Sequence, residues 1–176
     1  NNRGAILTSL SGTQPGALRF VTLTGDTTFG GNGRWDIRGN PTGSLLGDFN
    51  LTKVSANEIW LANLDATQLK TITVNEGTLG FQGTTTLGDP ASTMVVNSGG
   101  AFGISATGTN LLNKVLSLNT GQILSSSGSN TFIGNVNLSS SNPVDIASGS
   151  TLILGGVVTG SGNFTKTAPG TLILAG

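Results

Sequence analysis

The sequence predicts an all-β protein: a right-handed parallel β-helix, or β-solenoid, of about eight rungs, with roughly 22 residues and three strands in each. Three observations predict it. Gly, Thr, Ser and Asn together make up half of the chain. The apolar residues come in short alternating groups. A turn residue followed by apolar side chains two and four positions later recurs along the whole length. Gly, Asn and Ser mark turns, whereas Thr and the branched aliphatics suit strands. A mean hydropathy of +0.14 and this patterning argue for a folded chain rather than a disordered one.

The turn landmarks are Gly16, Gly33, Asn57, Gly77, Gly100, Gly121, Ser150 and Gly170. Their mean spacing is about 22 residues, a period in the range of repeat architectures. The pairs that follow them are Leu18/Phe20, Trp35/Ile37, Ile59/Leu61, Leu79/Phe81, Phe102/Ile104, Ile123/Ser125, Leu152/Leu154 and Leu172/Leu174. Residues two apart in a strand point to the same face, so each pair is an inward pair. Gly and Asn tolerate the positive φ of a tight turn before the strand. One such strand cannot bury its face alone, but stacked coils can, each rung contacting its neighbours. The right hand follows from the general chirality of parallel crossovers.

The remaining strands fill out each coil. One set precedes the turns: "TITV" (71–74), "TMVV" (93–96), "VLSL" (115–118) and "PVDI" (143–146). A third set comprises "GTTTL" (83–87), "TNLL" (109–112), "NTFIGNVNL" (130–138) and "GVVTG" (156–160). The opening "NNRGAILTSL" is also strand-like, and the best helical window, 111–118, is short. The longest spacing, from Gly121 to Ser150, contains "SSSNP" (139–143), read as a protruding loop.

Composition limits function. With no His and no Cys there is no imidazole base, no thiol nucleophile, no disulfide and no thiolate or imidazole metal site. No metal and no cofactor is expected. Eight basic and eight acidic residues give zero net charge, so no footprint for nucleic acid is expected. No apolar run approaches a membrane span. Residues 1–176 read as one domain, more charged over 1–76 and rich in Gly, Ser and Thr over 77–176. The chain, without an initiator Met or a signal peptide, reads as a processed piece of something longer.

The segment "GSGNFTKTAPGTLILAG" (160–176) resembles the passenger-associated strand repeat of bacterial autotransporters and related giant surface proteins. Gly160, Gly162, Phe164, Lys166, Gly170, Thr171, Leu172, Leu174 and Gly176 match its pattern. "GDFNLTKVSANEIWLAN" (47–63) is a decayed copy, with Asn57 and Glu58 in place of Gly-Thr, and "VNEGTLGF" (74–81) is a partial one. The resemblance implies a right-handed parallel β-helix outside the cell, serving as stalk, spacer or adhesive scaffold.

Several residues invite a functional reading. Outward columns would place Arg19 beside Asp36 and Arg34 beside Glu58, as cross-strand ion pairs or as a binding patch. Trp60 is either a sugar platform or a cover for the notch at Gly80 and Gly103; the covering role is favoured. Arg34 and Trp60 are thus the candidate ligand-binding residues. Trp35 falls in the core. Leu124, Ile153 and Ile173 would form an outward apolar column. Asp48, Asp65, Asp89 and Asp145 are lone acids at apparent turns, which leaves only the Arg34–Asp36–Arg38–Glu58 area dense enough for chemistry. "GGNGRWD" (30–36) matches a calcium nonapeptide poorly. The N-x-Ser/Thr triplets at Asn50, Asn137 and Asn163 are expected by chance in such a composition.

The expected function is that of a non-catalytic extracellular or bacterial cell-surface structural protein. It would be a stalk, or a subunit that associates end to end through terminal strands, unless a longer chain continues the coil. The alternative is an adhesin or carbohydrate-binding module with a surface glycan as partner. A polysaccharide-active enzyme is the weakest reading.

Overall fold

In the computed structural model, which describes residues 5–106 and 112–176, the chain winds into a β-solenoid of about seven turns with about 22 residues in each. The described residues contain no helix. The first sheet stacks eight strands in parallel: Ile6–Thr8, Thr27–Gly31, Leu51–Lys53, Ile72–Val74, Thr93–Asn97, Val115–Asn119, Val136–Leu138 and Val158–Gly160. The second stacks Gln14–Leu18, Trp35–Leu46, Glu58–Asp65, Gly77–Gln82, Gly100–Ser105, Gln122–Ser125, Ser141–Ile146 and Asn163–Lys166. Phe20–Thr22 pairs with the far half of Trp35–Leu46. A third side, formal only in the later turns, joins Ser129–Phe132, Thr151–Leu154 and Thr171–Leu174. "TNLL" and the start of the 111–118 window extend outside the described residues, and Val115–Asn119 is strand.

Alternation dictates the core. The second sheet sends inward the column Trp35–Ile59–Leu79–Phe102–Ile123–Val144 and, beside it, Ile37–Leu61–Phe81–Ile104–Ser125–Ile146. The first sheet answers with Leu51–Ile72–Met94–Leu116–Val136. Apart from Ser125, every residue of these columns is a buried hydrophobic. Phe102 meets Phe81 and Phe132 at ring-centroid distances of 5.7 and 5.4 Å. Ser125, a polar member of an otherwise apolar ladder, is buried, and its hydroxyl accepts a hydrogen bond from Asn130 Nδ2 at 2.9 Å.

Five landmarks occupy one corner, at the entry to the second sheet: Gly33, Asn57, Gly77, Gly100 and Gly121. Strand register confirms their alignment. Gly77 has φ +67, and a Cβ there would meet the Asn57 carbonyl oxygen at 2.4 Å, so a side chain is disfavoured by conformation and blocked by the rung below. Asn57 serves at the same corner because its Nδ2 donates to the Gly33 carbonyl at 2.9 Å.

The two ends depart from the expected register. Ser150 and Gly170 precede strands of the third side: Leu152 stacks on Asn130 and Leu172, and Ile153 on Thr131 and Ile173. The true successor of Ile123 is Val144. "SSSNP" is therefore not a protruding loop: its first two residues turn a corner and its last three open the strand Ser141–Ile146, and "PVDI" lies in the second sheet rather than the first. The long interval between Gly121 and Ser150 is one full turn plus one extra side. At the other end Leu18 pairs with Ile37, and a register shift lies between Gln14 and Leu18. Phe20, expected inward after Gly16, is 67% exposed.

Two lysines lie inside. Lys53 stands in the inward column between Phe29 and Val74 and is fully buried. Its Nζ donates to the carbonyls of Val54 (3.0 Å), Ser55 (2.7 Å) and Glu76 (3.0 Å). Lys114, also fully buried, donates to the Leu69 carbonyl and to Ser92 Oγ. Lys166 repeats the Lys53 arrangement, donating to the carbonyl two residues on, that of Ala168. The lysine shared by the two repeat copies thus staples the turn after its strand.

Burial lowers the Lys53 ammonium from the ordinary 10.5 to about 8. The unfolded chain keeps that proton up to the ordinary value. Between the two the unfolded state binds more protons, so stability rises with pH across that window. Urea midpoints measured across that window should therefore increase with pH, and the rise should shrink in Lys53→Met to the part supplied by Lys114, whose ammonium burial also lowers.

Candidate functional site: the outer face of the second sheet

Among the described residues the densest charge lies outside the second sheet, where strands Trp35–Leu46 and Glu58–Asp65 run side by side. Asp36 points outward yet is fully buried, because the two arginines that flank it in sequence cover it. Arg34 Nε and Nη2 donate to its two carboxylate oxygens at 3.0 and 2.9 Å. Arg38 Nη2 donates to Oδ2 at 2.7 Å and to Gln82 Oε1 at 3.0 Å, two rungs away. The hydrogen bonds from Arg34 to Asp36 raise the Arg34 pKa. The expected Arg34–Glu58 pair forms loosely, at 3.9 Å.

The Arg19–Asp36 pair does not form. The register shift before Leu18 carries Arg19 past Asp36, and its Nε donates instead to the Thr42 carbonyl at 3.1 Å while its guanidinium lies 4.9 Å from the Phe20 ring centroid. Asp36, engaged by two arginines, is no calcium ligand in the "GGNGRWD" segment. Among the described residues no three acidic side chains converge in a way that could hold a metal ion.

Trp60 is 8% exposed. Its ring lies over Gly80, where a Cβ would meet ring carbons at 2.4 Å, and reaches Gly103. Nε1 donates to Glu58 Oε2 at 2.9 Å, and the Arg34 guanidinium sits 5.4 Å from the ring centroid on a cation–π approach. Trp60 is therefore a cover for two strand glycines, with glycine against the ring and arginine near it, and not an open sugar platform. Trp35 is core, as expected, with Nε1 donating to the Gly30 carbonyl at 2.9 Å. Gly80→Ala should eject the indole; we expect a loss of about 1–3 kcal/mol and a red-shifted tryptophan emission, because Trp60 gains water while Trp35 does not.

Beyond the Trp60 ring the face sinks into a groove of about 360 Å³, running from Arg34, Glu58 and Trp60 to Leu124, Ser126 and Asp145. Asp145 is not at a turn, where its sequence context puts it. It is the penultimate residue of the strand Ser141–Ile146, outward and registered on Leu124. Among the described residues its carboxylate has no hydrogen bond and no ion pair. The outward apolar column of Leu124, Ile153 and Ile173 does not exist, because Leu124 belongs to the second sheet and the two isoleucines to the third side.

A second cleft of about 360 Å³ lies along the third side of the early turns, lined by Thr42, Asn63, Asp65, Thr67, Thr84 and Thr86 among others. Its acid is occupied locally. Asp65 Oδ1 accepts from the Thr67 hydroxyl at 2.7 Å and backbone N–H at 3.0 Å, which holds its carboxyl below the usual range. This is the local capping role expected for the acid.

Sequence reasoning locates Arg34, Glu58 and Trp60 but misses the two buried lysines and the open Asp145. The signal for Lys53 is present in the chain: Leu51-x-Lys53 continues the inward alternation. No family model, curated protein or solved structure matches the chain.

Proposed function

We propose that the protein is a non-catalytic structural element of the extracellular space or bacterial cell surface. It is a β-solenoid rod acting as a stalk or as a head-to-tail stacking subunit of a fibre. The observation that carries this reading is the ladder itself: the first and second sheets run along the described chain as parallel rungs over one core. Such an object resists extension and bending along its axis while contacting only neighbouring rungs. The charged cluster around Asp36 supports the same reading, since its groups bond to one another and hold adjacent rungs together.

The rung edge at Thr171–Leu174 can take a further rung, whether from continuing chain or from another copy. Leu174 is 56% exposed there, whereas Leu154, one rung back, is buried. Sedimentation velocity at rising concentration tests the proposal. Mass growing by whole copies, abolished by Leu174→Lys, supports stacking. A concentration-independent elongated monomer supports the stalk. A compact sphere, or cleavage of a polysaccharide panel, would overturn the structural reading.

A further inference from the structure

We propose that the groove between Trp60 and Leu124 binds an amine-bearing sugar of an extracellular polysaccharide, its ammonium seated on Asp145. This adds an adhesive contact to the rod and does not depend on whether the rod is a stalk or a fibre subunit.

The groove selects by charge. Among the described residues its one lining cation, Arg34, is held by Asp36, so none of them offers a free positive group to an anion. Glu58 is bonded to the indole N–H and Asp145 is open. An acid in a half-buried groove without a counter-ion is a place where a ligand cation gains most, because charge-assisted hydrogen bonds exceed neutral ones in strength.

It also selects by shape and polarity. The volume of about 360 Å³ falls within the range of small-ligand sites. The strands beneath it are paired on both sides, so no edge is free to add a peptide strand. Its apolar lining, the Trp60 edge with Leu124 and Ala147, is confined to this one groove, far smaller than the surface of about 800 Å² that each partner buries in a stable protein interface. The hydroxyls of Thr78 and Ser126, which line the same groove, can exchange hydrogen bonds with sugar hydroxyls. A hydroxylated ring carrying a protonated amine fits all of these features; a neutral sugar leaves Asp145 unpaired.

Calorimetric titration of the intact protein with four probes tests the proposal: glucosamine oligomers, N-acetylglucosamine oligomers, glucose oligomers and an oligolysine peptide. Glucosamine oligomers should bind at mildly acidic pH, and the other two sugars should bind at least about tenfold more weakly. Asp145→Asn should weaken glucosamine binding by about tenfold. Asp145 is outward and without partners among the described residues, so this variant should keep the parent's unfolding midpoint. Leu124→Ala, at the groove wall, should weaken binding in the same direction. Equal binding of acetylated and free-amine oligomers, insensitivity to Asp145→Asn, or no binding would overturn the proposal. Oligolysine binding with the same Asp145 dependence would overturn the assignment to a sugar.

Discussion

Phe102→Ala is expected to destabilise the protein by about 3–5 kcal/mol, among the largest losses of any single substitution in the solenoid. Phe102 is fully buried and sits in a ladder between Leu79 and Ile123. Its ring also joins the aromatic stack with Phe81 and Phe132, which come from two sides of the coil. Truncation leaves a cavity that hydrogen-bonded rungs above and below prevent from collapsing. Phe20→Ala is the matched control. Phe20 is 67% exposed, and its loss should change stability by no more than about 0.5 kcal/mol. Urea unfolding checks both. Because a solenoid's rungs couple mainly to nearest neighbours, Phe102→Ala should also split or broaden the transition.

Lys53→Ala should cost about 3–4 kcal/mol, a cavity loss and a hydrogen-bond loss together. The aliphatic stem fills the core between Phe29 and Val74, and its removal opens the cavity. The ammonium holds three carbonyls, two from its own turn and one from the next rung, and these lose their donor. Lys53→Met restores the stem but not the donors and should fall between parent and alanine variant. Lys166→Ala removes the equivalent staple on an exposed rung and should cost less than about 1 kcal/mol. Equal losses at positions 53 and 166, measured by urea unfolding, would contradict the burial argument.

These two positions show what the sequence can and cannot reveal. Alternation, turn chemistry and a period of about 22 residues are local properties, so the solenoid and the aligned corner from Gly33 to Gly121 are readable. The choice of corner is not local. "NEGTLGF" turns from the first sheet into the second, whereas "SGSTLIL" and "APGTLIL" turn from the second into the third side. The same strand–turn–strand grammar serves both, which is why pattern alone aligns Ser150 with the wrong column and Ile153 with Leu124. The two copies carrying Lys53 and Lys166 differ in the same way: one leaves the first sheet and the other the second. The site divides along the same line. Arg34 and Glu58 follow from a correctly aligned pair of rungs, so their proximity is readable. Arg19 sits beyond a register shift, and its partner is not. Asp145 reads as a turn acid beside "SSSNP" even though "PVDI" reads as a strand, and only placing that strand in the second sheet sets it beside Leu124.

Cryo-electron microscopy of the protein as isolated, at neutral pH, tests the central claim most directly. The account predicts straight rods, single or stacked into filaments, whose averaged images carry an axial spacing of about 4.8 Å from parallel rungs. Eight stacked strands give each copy an axial length of roughly 35 Å. Globular particles without that spacing would contradict both the solenoid and the structural function built on it.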